Sequence, residues 1–166
     1  AAFSRAGVAD AGETVWGRVL LADVRRQASY WAGRMVEALD LCQGDGVLEK
    51  AYGSSLAATY QDLLALVEAA DRGWDAAGER AEIAFPRAGS SKDCQDPAAL
   101  ERVKALRDTC KDRMKKLAEG FQDNSAALLS DMKTVYPAIR GLFALIRDVE
   151  EAFTAEKRRR GVLDFS

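Results

Sequence analysis

The chain has 166 residues, 48% of them hydrophobic, with 26 acidic side chains against 24 basic ones and no histidine. That length suits one helical or mixed domain with a sizeable core, and the missing histidine removes Ser-His-Asp and Cys-His catalysis together with HExxH metal sites. No run of 18 apolar residues occurs, so no membrane span is expected, and Ala1 to Ala11 lacks the basic start and apolar block of a signal peptide.

Charge is unevenly placed. Residues 1–96 carry 10 Lys/Arg against 15 Asp/Glu, a balance of −5, and residues 97–166 carry 14 against 11, a balance of +3. A whole-chain case for nucleic-acid binding fails on those numbers, but a local one survives on the C-terminal helices. Cys42, Cys94 and Cys110 are odd in number, widely spaced and form no CxxC pair, which points to a reducing, cytoplasmic setting. Cys42 and Cys110 fall on apolar helical faces, where a thiol serves as a small hydrophobe. Cys94 sits in a polar loop and is the reactive one.

Taken in order, residues 1–13 read as a loose lead-in. Trp16, Leu20, Val24, Ala28, Trp31, Met35, Leu39 and Cys42 recur every three or four residues, predicting a long helix from Val15 to about Cys42. Gln43-Gly44-Asp45-Gly46 ends it, with a glycine able to take the left-handed conformation. A short connection follows, and Ser54 or Ser55 is expected to cap the next helix. There Leu56, Tyr60, Leu63, Val67, Ala70 and Trp74 form a heptad-like seam, the pattern of antiparallel helices packed at a shallow angle. Arg72-Gly73 weakens it, and Ala76 to Ala84 reads as a further short turn.

Residues 85–96 cluster Pro, Gly and Ser without apolar periodicity and are expected to form a flexible internal loop. Asp96-Pro97 is a helix start, an acceptor followed by a proline where no donor is needed. Leu100, Val103, Leu106, Cys110, Met114 and Leu117 mark that helix, Gly120 ends it, and Asn124 or Ser125 caps the last one. Leu128, Met132, Val135, Ile139, Leu142, Ile146, Val149 and Phe153 stay in phase across Pro137, so the last helix is expected to be kinked or broken there. The expected fold is therefore all-α: a single domain over 1–166, an antiparallel bundle of about four long helices.

Catalytic chemistry finds no foothold. None of the thirteen glycines opens a GxxxxGK[ST] phosphate loop, and Glu79/Glu82 and Glu150/Glu151 read as solvated face residues. Trp16, Trp31 and Trp74 lie on apolar stripes and read as core. Two basic features remain as candidate DNA-binding elements. Lys104, Arg107, Lys111 and Lys115 line one face of a helix, able to follow a phosphate backbone. Lys157, Arg158, Arg159 and Arg160 close the last helix, where cations also complement the helix dipole. The bland alternative is an ordinary solvated face, with Asp108 pairing to Lys104 or Lys111.

Two stretches carry a resemblance. Glu156 and the run Lys157 to Arg160 pass through Gly161, Val162, Leu163, Asp164, Phe165 and Ser166. Earlier, Phe85-Pro86-Arg87 is followed after a polar loop by Val103 to Asp108 and Lys111. This pattern resembles the helical insertion (the 1B subdomain) of UvrD-like superfamily 1 DNA helicases, and within them the AddA-type ATP-dependent helicase/nucleases. The resemblance implies an accessory subdomain lying near duplex or forked DNA in a recombinational double-strand-break repair enzyme. It also implies a parent protein that uses ATP and Mg through motifs outside these 166 residues, and an AddB-like partner. Residues 161–166 are then the start of a return segment to the motor core, with Asp164 and Phe165 belonging to a family motif that is cut short. The alternative from pattern alone is a stand-alone helical-bundle interaction module.

Overall fold

The helical periodicity of the sequence is realised directly: the computed structural model describes residues 8–161 and contains no strand among them. Helix α1 spans Val15–Gln43. Thr14 starts it, its hydroxyl oxygen accepting from the Gly17 N–H at 3.0 Å and its O–H donating to the Ala11 carbonyl at 2.6 Å. The face it buries runs through Leu21, Val24, Ala28, Trp31, Met35, Ala38 and Cys42. Leu20, expected on that stripe, is instead exposed, and Leu21 takes its place. No left-handed glycine stops the helix, since Gly44 has φ −75°.

The expected connection after α1 is itself helical. A single turn, α2 (Gly46–Leu48), passes through a π-helical turn at Glu49–Gly53 into α3 (Ser54–Arg72). The cap is therefore Asp45, whose carboxylate accepts from the Val47 and Leu48 N–H groups, and neither Ser54 nor Ser55 caps a helix start. Helix α3 buries Leu56, Thr59, Leu63, Leu66, Ala69 and Ala70, while Tyr60 and Val67 lie at its half-buried margin. Gly73 then takes φ +135°, a conformation reserved for glycine, and α4 (Trp74–Arg80) follows.

Helix α5 (Pro97–Ala118) starts as expected, Asp96 accepting from the Ala98 and Ala99 N–H groups at 3.0 Å each. Helix α1 packs against both α3 and α5. The Arg25–Asp71 and Arg102–Glu37 ion pairs fix the directions, because each joins an early residue of one helix to a late residue of the other. Both α3 and α5 therefore run antiparallel to α1. Trp31 and Trp74 are buried, and Trp16 meets Trp74 edge-on with centroids 6.0 Å apart, so the tryptophans serve the core.

Residues 85–96, the expected internal loop, form a strap along α2–α3. Thr59 Oγ donates to the Ala84 carbonyl and Asp62 accepts from the Ala84 N–H. Next the Gly89 N–H donates to the Ala51 carbonyl at 2.7 Å, and the Gln95 N–H to Asp45 at 2.6 Å. The partners descend from 62 to 45 as the strap advances, so it runs antiparallel to α3. Gly89 permits the close approach: a Cβ there would lie 3.2 Å from Ala51 Cα.

Of the two forms expected at Pro137, kinked or broken, the broken one does not occur: helix α6 (Ser125–Arg160) continues through it as one helix. Asn124 caps it, accepting from the Ala127 N–H at 2.9 Å, while the Ser125 N–H donates to Asp75. By its contacts the chain divides into two units, Ala1–Leu128 and Leu129–Ser166. In the second unit the regular stripe of α6 is largely exposed: Val135, Leu142, Ile146, Val149 and Phe153 are 44–60% accessible.

Candidate nucleic-acid interface

On α5 the buried positions Val103, Leu106, Cys110 and Met114 set which face is left for charge. Lys104, Lys111 and Lys115 recur beside that stripe at steps of seven and four, on one line along the surface. The structure divides the expected row in two. Lys104 donates to Glu101 at 2.9 Å, an ion pair that raises its pKa. Arg107 is turned away from solvent, its side chain only 15% accessible. Its guanidinium donates to the Phe85 carbonyl at 3.2 Å and the Pro86 carbonyl at 2.7 Å, and it lies over the Phe85 ring at 5.9 Å. Arg107 thus fastens the strap to α5.

Lys111 and Lys115 are exposed, and among the described residues neither forms an ion pair. They edge an open groove of about 460 Å³ whose lining includes Ile83, Phe85 and Met114, with Glu82 and Glu119 also on it. Two ammonium groups and two carboxylates leave the groove without net charge. Arg113 and Lys116, outside the expected row, are exposed as well. The periodic signal missed them because they sit on other faces of the helix.

At the end of α6, Arg159 makes a two-pronged contact to Glu156, at 2.7 Å from each nitrogen, and Arg160 Nε reaches the same carboxylate at 2.5 Å. The two guanidinium groups lower the Glu156 pKa. Lys157 lies 4.1 Å from the Phe153 ring centroid, and Arg158 is exposed. Glu156 and the four cations together keep a charge of +3. Asp164 and Phe165 lie outside the described residues. No cluster of three or more metal-ligating side chains exists among the described residues, and no helix there is long and apolar enough to cross a membrane.

Comparison with known proteins finds relatives that match nearly the whole chain. A protein from Acetivibrio thermocellus, named as the A subunit of an ATP-dependent helicase/nuclease, is 32% identical over 165 residues, covering 95% of this chain and 13% of that protein. Proteins of the same name from Clostridium novyi and Clostridium acetobutylicum are 27% and 24% identical, each over 93% of the chain. The chain spans about an eighth of the length of the curated relatives it matches. No protein-family model matches it, and no solved structure does. The similarity thus runs over nearly the whole chain, and not only over the two stretches that carried the resemblance, and falls on one segment of AddA-type proteins, named as the A subunits of ATP-dependent helicase/nucleases.

Proposed function

We propose that this chain is an accessory, non-catalytic helical region of an AddA-like ATP-dependent DNA helicase/exonuclease, corresponding to its 1B insertion and contacting duplex or forked DNA. The observation that carries the reading is the match of nearly the whole chain to one segment of these helicase/nuclease proteins. The exposed Lys111 and Lys115 on α5 and Arg158 on α6 supply cations able to meet phosphates without reading sequence. ATP and Mg act in the parent protein at motifs outside these residues, because the chain contains no phosphate-binding loop. On this reading the parent works with an AddB-like partner in recombinational double-strand-break repair in the cytoplasm.

Fluorescence anisotropy with a fork-ended duplex at two salt concentrations tests it. Weak binding that falls steeply with salt is expected, and replacing Lys111 and Lys115 together by alanine reduces it. Absence of binding at low salt, or affinity indifferent to that double change, removes the DNA-contacting role from α5.

A further inference from the structure

Four charged side chains stand at the groove beside α5, and none is paired with another. Glu82, Lys111, Lys115 and Glu119 are exposed, and among the described residues no ion pair joins any of them, although Lys115 and Glu119 lie one turn apart. Two contacts set their order along the groove. Arg107, one turn before Lys111, holds the Phe85 and Pro86 carbonyls, and a Cβ on Gly78 would lie 3.5 Å from the Phe121 ring, just beyond Glu119. Residues 78–85 therefore run antiparallel to 107–121. Phe85 and Lys111 mark one end of the groove, Glu82 and Glu119 the other, and Lys115 lies between.

The floor between these ends is apolar. Met114 is buried, and Ile83 and Phe85 are half-buried. The Arg107 guanidinium lies over the Phe85 ring at 5.9 Å without lining the groove, so the ring is braced from outside it. A volume of about 460 Å³ falls in the range of sites that take one small or flat group.

This polarity selects an occupant. The ammonium end takes an anion, the floor takes a flat apolar body, and a carboxylate, which only accepts, takes a hydrogen-bond donor. Along α5, Lys111 and Lys115 precede Glu119 by about 12 and 6 Å, at 1.5 Å per residue. An unpaired nucleotide has the same order: phosphate, sugar, then a base whose exocyclic amino group lies on its far edge. In a duplex that face is stacked and that amino group is paired.

We propose that the groove receives an unpaired nucleotide of single-stranded DNA, with phosphate on Lys111 and Lys115, base on the apolar floor, and an exocyclic amino group donating to Glu82 or Glu119. The assignment rests on the DNA-contacting role of α5 and adds to it a strand state and a base preference. Cytosine offers an N4 amino group where thymine offers the O4 carbonyl, which a carboxylate repels. The groove therefore takes dC in preference to dT.

Anisotropy titrations with oligo-dC and oligo-dT of equal length test this, because the two pyrimidines match in size and differ at that position. Oligo-dC is expected to bind about tenfold tighter, the effect of one hydrogen bond to a charged group. Glu82→Ala with Glu119→Ala brings the two oligomers level, and Lys111→Ala with Lys115→Ala weakens both. Urea unfolding checks that these surface variants stay folded. In NMR spectra oligo-dC is expected to shift the resonances of Ile83 and Met114. Equal affinity for the two oligomers, a preference that survives loss of both carboxylates, or shifts that miss Ile83 and Met114 overturns the proposal. So does an amphipathic Leu/Lys peptide that shifts those resonances where oligo-dC does not, since the groove is then a protein-docking site. If a forked duplex binds through the lysines and oligo-dC does not, this proposal fails and the DNA-contacting role of α5 stands. If no DNA binds, both fall.

Discussion

The Arg107 guanidinium donates to the Pro86 carbonyl oxygen at 2.7 Å while its side chain is 15% accessible, so a cation in line for phosphate contact is committed to the protein's own backbone. It satisfies two carbonyls of an extended segment that has no sheet or helix partner for them. Replacing Arg107 by alanine leaves those carbonyls to find water and releases the strap from α5. The expected loss is about 1.5–3 kcal/mol in urea unfolding, the range for hydrogen bonds to a charged group. Lysine does not restore it, because a single ammonium cannot reproduce the fork.

Lys111 and Lys115 behave in the opposite way. Both are exposed and unpaired among the described residues, so their joint replacement by alanine changes stability by less than about 0.5 kcal/mol. If each meets a phosphate, the slope of log affinity against log salt becomes shallower by about 1.8. Arg107→Ala, measured alongside, separates loss of fold from loss of contact: it lowers the unfolding midpoint, and the lysine pair lowers DNA affinity.

Asp45 joins three parts of the chain. One oxygen caps α2, and the other accepts from the Gln95 N–H at 2.6 Å and the Asp96 N–H at 3.3 Å. The Gln95 amide, more than any other partner, lowers its pKa to about 2, against burial, which acts to raise it. The sign follows from the lowered folded value. Stability from ionised Asp45 is complete above the unfolded carboxylate pKa near 3.9 and drains away as pH falls toward 2. Asp45→Asn is therefore less stable than the parent at neutral pH, and the gap between their melting temperatures narrows between about pH 5 and pH 2. Hydrogen exchange at Gln95 and Asp96 speeds up in the variant at neutral pH.

How far the sequence discloses this molecule depends on the range of the interactions concerned. Helices announced by local period and caps, such as α1 from Thr14 and α5 from Asp96-Pro97, are legible because the signal and its cause lie within a few residues. The strap is not. Its path is set by contacts to Asp45, Ala51, Thr59, Asp62 and Arg107, side chains and carbonyls 21 to 51 residues away, which no local composition records. The same holds for the candidate interface. Spacing places Arg107 one step from Lys111, and only the position of Phe85 and Pro86 decides that it faces inward. The stripe of α6 reads in sequence like a core seam, because periodicity reports an apolar face without naming what covers it.

The three thiols make the burial assignments testable. Cys42 and Cys110 are 1% and 0% accessible, and burial pushes the Cys110 pKa up to about 12. Cys94 is half-buried in the strap, its thiol donating to the Asp96 carbonyl at 3.1 Å. Burial and the nearby Asp45 carboxylate raise its pKa too, so it reacts more slowly than a free thiol at pH 8. An aromatic disulfide reagent is expected to label one thiol in the native chain and three in denaturant. Asp45→Asn quickens the native reaction by removing the anion beside Cys94, and labelling of Cys110 before unfolding contradicts the packing described.

Gly73 concentrates two constraints in one residue. Its φ of +135° and ψ of −176° are open to glycine and closed to side chains. A Cβ there would also lie 3.0 Å from an oxygen of Asp10, whose other oxygen accepts from the Trp74 N–H at 3.0 Å and the Gly12 N–H at 2.7 Å. This Asp10 carboxylate bridges residues 64 apart and caps α4 from the N-terminal segment. Gly73→Ala is expected to destabilise the chain by about 1–3 kcal/mol, measured by urea unfolding. The two causes are separable. In an Asp10→Ala background the steric part disappears and the backbone part stays, so the alanine penalty shrinks without vanishing. A penalty that vanishes altogether would assign the whole effect to the collision with Asp10 and show that residue 73 tolerates a side chain once the carboxylate is gone.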